Sequence, residues 1–165
     1  MPGPVVLDNT VLSNLAVVQR TDLLTLIWSD LVITTKEVLA EYQEGVARGL
    51  VAAEAWVELP AVTLSLEEQA LSQSFAPRLG PGERSCLAVA LQRIGLFVSD
   101  DADARSAAGK LGVPVTGTLG VLAVAVVRGH LTLDDANALL SRMITAGYRS
   151  PVLSLDSLVE THSAP

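Results

Sequence analysis

The stretch GLFVSDDADARSAAGKLGVPVTGTLGVL, residues 95–122, sets three aspartates directly after a short apolar segment. Residues 96–99 have the composition of a buried strand, and Asp100, Asp101 and Asp103 follow at once. Adjacent carboxylates repel each other, and only one of a neighbouring pair can cap a helix. The pair at 100 and 101 therefore raises the question of which other charged groups the fold brings to this strand end.

The composition predicts one compact domain, residues 1–165, with helices packed on a buried sheet. Half of the residues are hydrophobic and only 4% are aromatic, so Leu, Val and Ala must form the core. The single cysteine, Cys86, rules out an intramolecular disulfide and favours a reducing compartment. The first residues lack the basic segment of a signal peptide, and the longest apolar run, residues 121–127, is too short to span a bilayer. We therefore expect a cytoplasmic protein without a membrane partner.

The net charge of −7 limits how the chain can bind nucleic acid. Proteins that hold nucleic acid through bulk electrostatics are usually basic. This chain must avoid nucleic acid, bind it through a local group of arginines, or neutralise its acids with metal. The charge thus argues against nonspecific DNA packaging but not against a metal-dependent nuclease.

Apolar segments of strand length alternate with helical segments along the chain, which predicts a parallel sheet with helices on both faces. The predicted strands are residues 4–8, 30–34, 55–59, 96–99 and 113–116. The predicted helices are residues 10–19, 34–45, 47–55, 65–75, 79–95, 103–111, 117–129 and 131–147. The segment from 150 to 160 is ambiguous, and the final four residues are expected to fray.

Several acids fall where an open parallel sheet binds its ligands, beyond the carboxyl ends of the strands. Asp8 ends the first predicted strand, and Asp100 and Asp101 end the fourth. Glu41 lies on the helix after the second strand, and Glu83 opens the helix before the fourth. Carboxylates gathered at one point raise each other's pKa, and a fold tolerates this with a compensating cation. Oxygen ligands without His or Cys imply Mg²⁺ or Mn²⁺.

Each acid also has a local structural interpretation. Asp8 can cap the following helix, and Glu83 and Asp101 can be acids favoured by a helix dipole. Glu41 can be a solvated helix residue, although it is preferred over Glu37, which suits a capping box. Both histidines lie outside these elements, in a turn and at the tail, so a zinc site is not expected.

The sequence around the first three acids resembles known motifs. VVLDNTVLSNLA resembles an opening strand with its acid at Asp8 and a hydroxyl residue at Thr10, and ITTKEVLAEY resembles a second motif with its glutamate at Glu41. GPGERSCLAVAL resembles a third, in which an acid, here Glu83, opens an alanine-rich helix. All three are similar to motifs of the PIN-domain family of metal-dependent nucleases.

LFVSDDADAR resembles the fourth motif of that family and selects Ser99 and Asp101. Ser99 stands where threonine is commoner, and the doubled aspartate leaves open whether Asp100 or Asp101 is the ligand. Arg105 and the later run LGVPVTGTLGVL are similar to a prokaryotic subgroup of the family. The resemblance covers about residues 4–129.

This resemblance implies a three-layer α/β/α sandwich on a central parallel sheet of four or five strands. Residues 4–129 would form its core and residues 131–161 a C-terminal helical extension. It also implies Mg²⁺- or Mn²⁺-dependent phosphodiester hydrolysis, most often of RNA. Many small members are VapC-like toxins of toxin–antitoxin pairs and commonly form homodimers, so an antitoxin and a second copy are expected partners. The apolar helices at 10–27 and 34–55 are the candidate dimer surface.

The resemblance assigns roles to these residues. The expected metal ligands and catalytic acids are Asp8, Glu41, Glu83 and Asp101, with Asp100 as a further ligand. The expected contacts to phosphate or to the ligands are Thr10, Ser99, Thr118, Arg84 and Arg105. The hydroxyls can equally bond local backbone, and either arginine can form a structural salt bridge.

Other functions compete with this one. A PIN-like domain that is catalytically silent and acts through a protein partner fits the same residues. A phosphoryl-transfer receiver domain needs an acid pair after the first strand and a lysine after a late strand, and the chain has neither there. A dinucleotide site is disfavoured because no G-x-G-x-x-G motif follows a strand.

Overall fold

The computed structural model describes residues 2–163, and within them the chain forms one five-stranded sheet. All of its paired strands are parallel, in the order β3-β2-β1-β4-β5. The strands are β1 (Val5–Leu7), β2 (Val32–Thr35), β3 (Ala61–Val62), β4 (Leu96–Val98) and β5 (Val115–Thr116). The predicted parallel sheet of four or five strands is therefore confirmed, with five.

Helices cover both faces of this sheet, which gives the expected three-layer α/β/α sandwich. The α-helices of the described residues are α1 (Asn9–Val17), α2 (Asp22–Trp28), α3 (Lys36–Ala47), α4 (Leu66–Ser74), α5 (Pro81–Gln92), α6 (Ala102–Lys110), α7 (Thr118–Val127), α8 (Leu133–Thr145) and α9 (Asp156–Ser163). Short 3₁₀ helices lie at Ser29–Leu31 and Ala53–Trp56. Among the helices within residues 2–163, none combines the length and apolarity that a membrane crossing requires.

The strand order places a topological switch point beside β1. The chain moves from β1 outward through β2 to β3, and then returns to the other side of β1 to form β4 and β5. β1 is buried on both faces because parallel strands flank it and helices cover it. In such sheets the crevice for a ligand opens at the carboxyl ends of the two strands where the order reverses. Here those strands are β1 and β4.

The predicted strand at 55–59 is wrong, because this segment forms a 3₁₀ helix and a turn. The indole of Trp56 is 8% exposed and its Nε1 donates a hydrogen bond to the Leu12 carbonyl at 3.1 Å, a tertiary contact that fixes the turn. The third strand comes later, after Pro60, whose carbonyl accepts from the Thr34 amide at 2.9 Å.

The predicted helix at 47–55 is also wrong. α3 continues to Ala47, and the chain then turns through Gly49, which has a φ of +72°. Glycine adopts this left-handed conformation without the steric cost that other residues incur. The next regular structure is the 3₁₀ helix that ends at Trp56.

The structure adds two helices that sequence patterning did not assign. α2 occupies the interval between the predicted first helix and second strand, and α9 begins within the ambiguous segment, at Asp156, and continues to Ser163. Positive φ angles at Gln19 and Ser29 separate α2 from its neighbours. Of the four final residues expected to fray, His162 and Ser163 lie in α9, and residues 164 and 165 lie outside the described residues.

Candidate active site

Asp8 lies immediately after β1, at the switch point, and is 1% exposed. Its Oδ1 accepts a hydrogen bond from the Asn9 amide at 2.7 Å at the start of α1. Its Oδ2 accepts from Ser99 Oγ at 2.7 Å and from Thr10 Oγ1 at 3.3 Å. Asp8 is therefore a helix cap and, at the same time, a buried carboxylate.

Burial raises the pKa of Asp8 to about 6. The hydrogen bonds from Ser99, Asn9 and Thr10 oppose this shift, and the negative charge of Glu41 adds to it. At neutral pH the fold thus holds an ionised carboxylate in surroundings that disfavour its charge. A cation bound beside Asp8 would remove that cost.

Two glutamates approach from α3 and α5. Glu41 Oε1 accepts a hydrogen bond from the Gly82 amide at 2.8 Å, which ties α3 to the first turn of α5. Glu83 Oε2 accepts from the Gly80 amide at 2.6 Å and so caps its own helix. Burial is the main cause that raises the pKa of both glutamates. Negative charge raises each further, that of Glu83 and Glu44 for Glu41, and that of Asp8, Asp101 and Asp103 for Glu83.

The adjacent acids after β4 point to different partners. Asp101 Oδ1 accepts a hydrogen bond from the Ala104 amide at 2.8 Å and caps α6. Asp100 Oδ1 accepts from the Thr118 amide at 2.8 Å, and its Oδ2 accepts from Asn14 Nδ2 at 2.9 Å and from the Thr118 hydroxyl. The electrostatic coupling to Glu83 involves Asp101. This separation relieves the repulsion between neighbouring carboxylates.

The fold thus gathers Asp8, Glu41, Glu83 and Asp101 into one electrostatically coupled group, which we call the acid cluster. Within residues 2–163 no group of three or more His, Cys, Asp or Glu side chains is arranged so as to hold a metal ion. Each glutamate, and Asp101, uses one carboxylate oxygen for a main-chain hydrogen bond, and among the described residues its other oxygen has no hydrogen-bond partner. An all-oxygen set with such oxygens fits Mg²⁺ or Mn²⁺ by its chemistry.

The predicted auxiliary residues fall into two groups. Thr10 Oγ1 accepts a hydrogen bond from the Asp100 amide at 3.0 Å, and Arg105 Nη1 donates to the Ser99 carbonyl at 3.0 Å, so both brace the end of β4. Arg84 differs, because its Nε is buried without a hydrogen-bond partner among residues 2–163. In this part of the chain neither arginine forms the alternative salt bridge.

Two residues at the site were missed by sequence reasoning. Asn14 lies one turn after Thr10 on α1, and its amide nitrogen also contacts Thr118 Oγ1 at 3.2 Å. The available signal was its spacing, four residues after Thr10 on the same helix. Tyr148 follows α8, and its pKa is raised by burial and by the charge of Asp100, so its phenol lies near that carboxylate. Its distance along the chain left no local signal.

A parallel α/β/α sandwich with acidic side chains at its switch point defines an α/β protein built to bind its ligand at the carboxyl edge of the sheet. A family model described as PIN domain matches residues 4–162, so the chain belongs to the PIN-domain family, whose fold is in general a nuclease fold. The match continues beyond residue 129 and includes α8 and nearly all of α9. Comparisons with curated proteins and with solved structures gave no match.

Proposed function

We propose that this protein is a Mg²⁺- or Mn²⁺-dependent ribonuclease that hydrolyses phosphodiester bonds. The observation that supports it most is Asp8, a carboxylate that is 1% exposed at the switch point, with its pKa raised to about 6. Helix capping alone does not require burial, because Ser, Thr and Asn cap equally well without charge. In a family with a nuclease fold, metal binding for phosphodiester hydrolysis would account for this buried charge.

The acid cluster would hold the ion. Glu41, Glu83 and Asp101 would offer the oxygens that the main chain leaves free, and Asp8 the charge at the centre of the group. Asp100 is the weaker ligand, because hydrogen bonds from α1 and α7 engage both of its oxygens. The ion, when bound, would activate water and stabilise negative charge on the phosphate. A carboxylate of the cluster that the ion does not engage would accept the proton of the water.

The neighbouring polar residues would position these groups. Ser99 and Thr10 hold the Asp8 carboxylate in one orientation through their hydroxyls. Thr118 and Asn14 do the same for Asp100. Arg105, anchored on the end of β4, would present its remaining guanidinium N–H groups to a phosphate. Thr118 and Arg84 are further proposed contacts to the substrate strand.

We extend the proposal to the biological setting of a toxin with an antitoxin partner, acting as a homodimer. Large apolar side chains are exposed on and beside the first three helices, with Val17 at 39%, Leu26 at 48% and Leu50 at 66%. Val17 and Leu50 line one pocket, and exposed apolar side chains on one surface favour burial by a partner. Sedimentation velocity of the wild type and of Leu26→Lys tests the homodimer, which the substitution should weaken.

The second candidate function is a catalytically silent module that acts through a protein partner. One observation favours it: Glu41, Glu83 and Asp101 each already serve the fold through a main-chain hydrogen bond. If helix capping were their whole role, amide substitutions would leave every measurable property except stability unchanged.

Cleavage of mixed-sequence RNA in Mn²⁺ separates the two functions. Asp101→Asn should lower the rate at least about 100-fold, more than the loss of an outer-shell partner usually does, while asparagine keeps the cap of α6. The matched control is Asp134→Asn, which removes an exposed acid from the first turn of α8 and should cleave at the wild-type rate. A wild type without activity, or equal rates for wild type and Asp101→Asn, would support the silent module.

A further inference from the structure

A cavity of about 310 Å³ is lined by Asp100 but not by the acid cluster's Asp101. Its walls are the starts of α6 and α7 and the segment that runs from Tyr148 into α9. We call it the Tyr148 cavity, and the lining residues used below are Asp100, Arg105, Leu119, Tyr148, Arg149 and Leu158. Its size is at the lower end of small-molecule sites, which hold roughly 300–1,000 Å³.

The charges that line the cavity differ from those of the acid cluster. Arg105 and Arg149 contribute two guanidinium groups, and the only lining carboxylate in the described part of the chain is Asp100. Both Asp100 oxygens already accept hydrogen bonds, from Thr118 and Asn14. In a chain with a net charge of −7, two arginines on one concave surface make a local site for an anion such as a phosphate.

The cavity lining also includes an aromatic ring and apolar side chains. Tyr148 is one of two tyrosines in a chain with 4% aromatic residues, and Leu119 and Leu158 line the cavity beside it. Burial and the negative charge of Asp100 raise the pKa of its phenol, so it stays neutral. Aromatic rings of this kind stack on nucleic-acid bases of any sequence.

Gly117 brings the cavity and the end of β4 together. A Cβ atom at this position would lie 2.5 Å from Asp100 Oδ1 and 2.9 Å from Arg105 Nη1. The absence of a side chain lets the carboxylate and the guanidinium sit against the backbone that enters α7. One wall of the cavity is therefore one residue away from Asp101 of the acid cluster.

We propose that the Tyr148 cavity binds one nucleotide of a single-stranded RNA substrate, next to the bond that is cleaved. Arg105 and Arg149 contact its phosphate, and its base packs against Tyr148, Leu119 and Leu158. The inference rests on the proposed ribonuclease function and assigns the C-terminal segment, residues 148–162, a part in substrate binding.

Two measurements test this role. The first is fluorescence anisotropy with a fluorescein-labelled, mixed-sequence, single-stranded heptamer RNA in EDTA, where binding is measured without metal. The second is steady-state cleavage of the same RNA in Mn²⁺. Arg149→Ala and Tyr148→Leu should each weaken binding about tenfold and raise KM about tenfold, with kcat within twofold of the wild type, because the lost contacts serve binding. Tyr148→Phe keeps the ring and should bind within twofold of the wild type.

The matched control is Arg142→Ala, which removes the same charge from an exposed position on α8 outside the cavity and should leave both KM and binding within twofold. If wild type cleaves RNA but Arg149→Ala and Tyr148→Leu keep the wild-type KM and affinity, the cavity is not a nucleotide site and the ribonuclease function stands. If Arg142→Ala weakens binding as much as Arg149→Ala, the effect is general electrostatics and the site is likewise overturned. If the wild type neither binds nor cleaves RNA, the ribonuclease function itself fails, and this assignment fails with it.

Discussion

Asp8 is the only member of the acid cluster that is fully buried. Because burial makes its negative charge unfavourable, its role can be tested by measuring stability, without an activity assay. The shift of its pKa from 3.8 to about 6 means that the folded state disfavours the charged form. The cost is absent below the unfolded pKa, grows as pH rises through this interval, and is complete above about 6.

Asp8→Asn should therefore raise the free energy of unfolding in EDTA at pH 8 by up to about 3 kcal/mol, and with it the melting temperature. Asparagine still caps α1, so the helix start is kept. The advantage over wild type should vanish near pH 4. In Mn²⁺ at about 1,000 times Kd the order should reverse, because an ion that binds only the folded wild type stabilises it by about 4.1 kcal/mol. Differential scanning calorimetry in the two buffers measures both effects. A wild-type melting temperature that Mn²⁺ leaves unchanged would show that the acid cluster holds no ion.

Substitution of Gly82 tests whether the position of the Glu41 carboxylate matters for RNA cleavage. A Cβ atom at residue 82 would lie 2.7 Å from both oxygens of Glu41, so Gly82→Ala should push that carboxylate out of place. We expect the rate of RNA cleavage to fall at least about tenfold, since a ligand displaced by an ångström serves poorly. The control is Gly109→Ala on α6, where a Cβ atom meets nothing within 4 Å, and which should stabilise the helix by roughly 0.5–1 kcal/mol. Full activity in Gly82→Ala would count against Glu41 as a ligand.

At the scale of elements, an ion pair joins α4 to the C-terminal end of α5. Arg93, just after α5, donates from Nε to Glu68 Oε1 at 2.6 Å and from Nη2 to Oε2 at 3.0 Å. The Glu68 side chain is 2% exposed and Arg93 is 36% exposed. Arg93 is the main cause that lowers the pKa of Glu68, so this pair stabilises the fold when the carboxylate is ionised.

Glu68→Gln should lower the unfolding free energy at pH 7 by about 1–2 kcal/mol, less than for a fully buried pair because Arg93 is partly solvated. A carboxylate with a lowered folded pKa stabilises the protein above its unfolded pKa and loses that effect as pH falls. The difference between Glu68→Gln and wild type should therefore shrink towards pH 3 in urea unfolding. Glu67→Gln, an exposed neighbour on α4, should differ little from wild type at either pH. A difference for Glu68→Gln that is independent of pH would mean that the ion pair is not its source.

Some secondary-structure elements could be predicted from the sequence pattern and others could not. The apolar strands β1 and β4 were predictable because three or four buried residues end abruptly in acids. The segment 55–59 is apolar at four of five positions, as a short strand is, but the Trp56 indole reaches the Leu12 carbonyl, 44 residues away. A contact at that separation decides the local structure and leaves no trace in the segment itself.

The same reasoning applies to the site. The electrostatic coupling of Asp8, Glu41, Glu83 and Asp101 was predictable because strand ends and helix starts of a parallel sheet meet at one edge. Their role as metal ligands stays a prediction. How Asp100 and Asp101 divide was not predictable, because it depends on an amide of Thr118 that the fold brings beneath Asp100. Tyr148 was not predictable for the same reason.

At the scale of the whole molecule, a charge of −7 sets how RNA binding should respond to salt. Each neutralised phosphate of single-stranded RNA contributes about −0.7 to the slope of log K against log salt. With Arg105 and Arg149 on one phosphate, the slope should be about −0.7 in anisotropy titrations between low and physiological NaCl. Arg149→Ala should make the slope shallower. A slope three times steeper would indicate a broad basic surface, which is at odds with the net charge.

The two edges of the sheet have a consequence for assembly. β3 and β5, which form these edges, are two residues long each. Edge strands this short offer too few free backbone N–H and C=O groups for another chain to pair with the sheet. Many natural proteins limit aggregation in this way. We therefore expect a protein partner, whether an inhibitor or a second copy of this chain, to bind through the side chains of the outer helices.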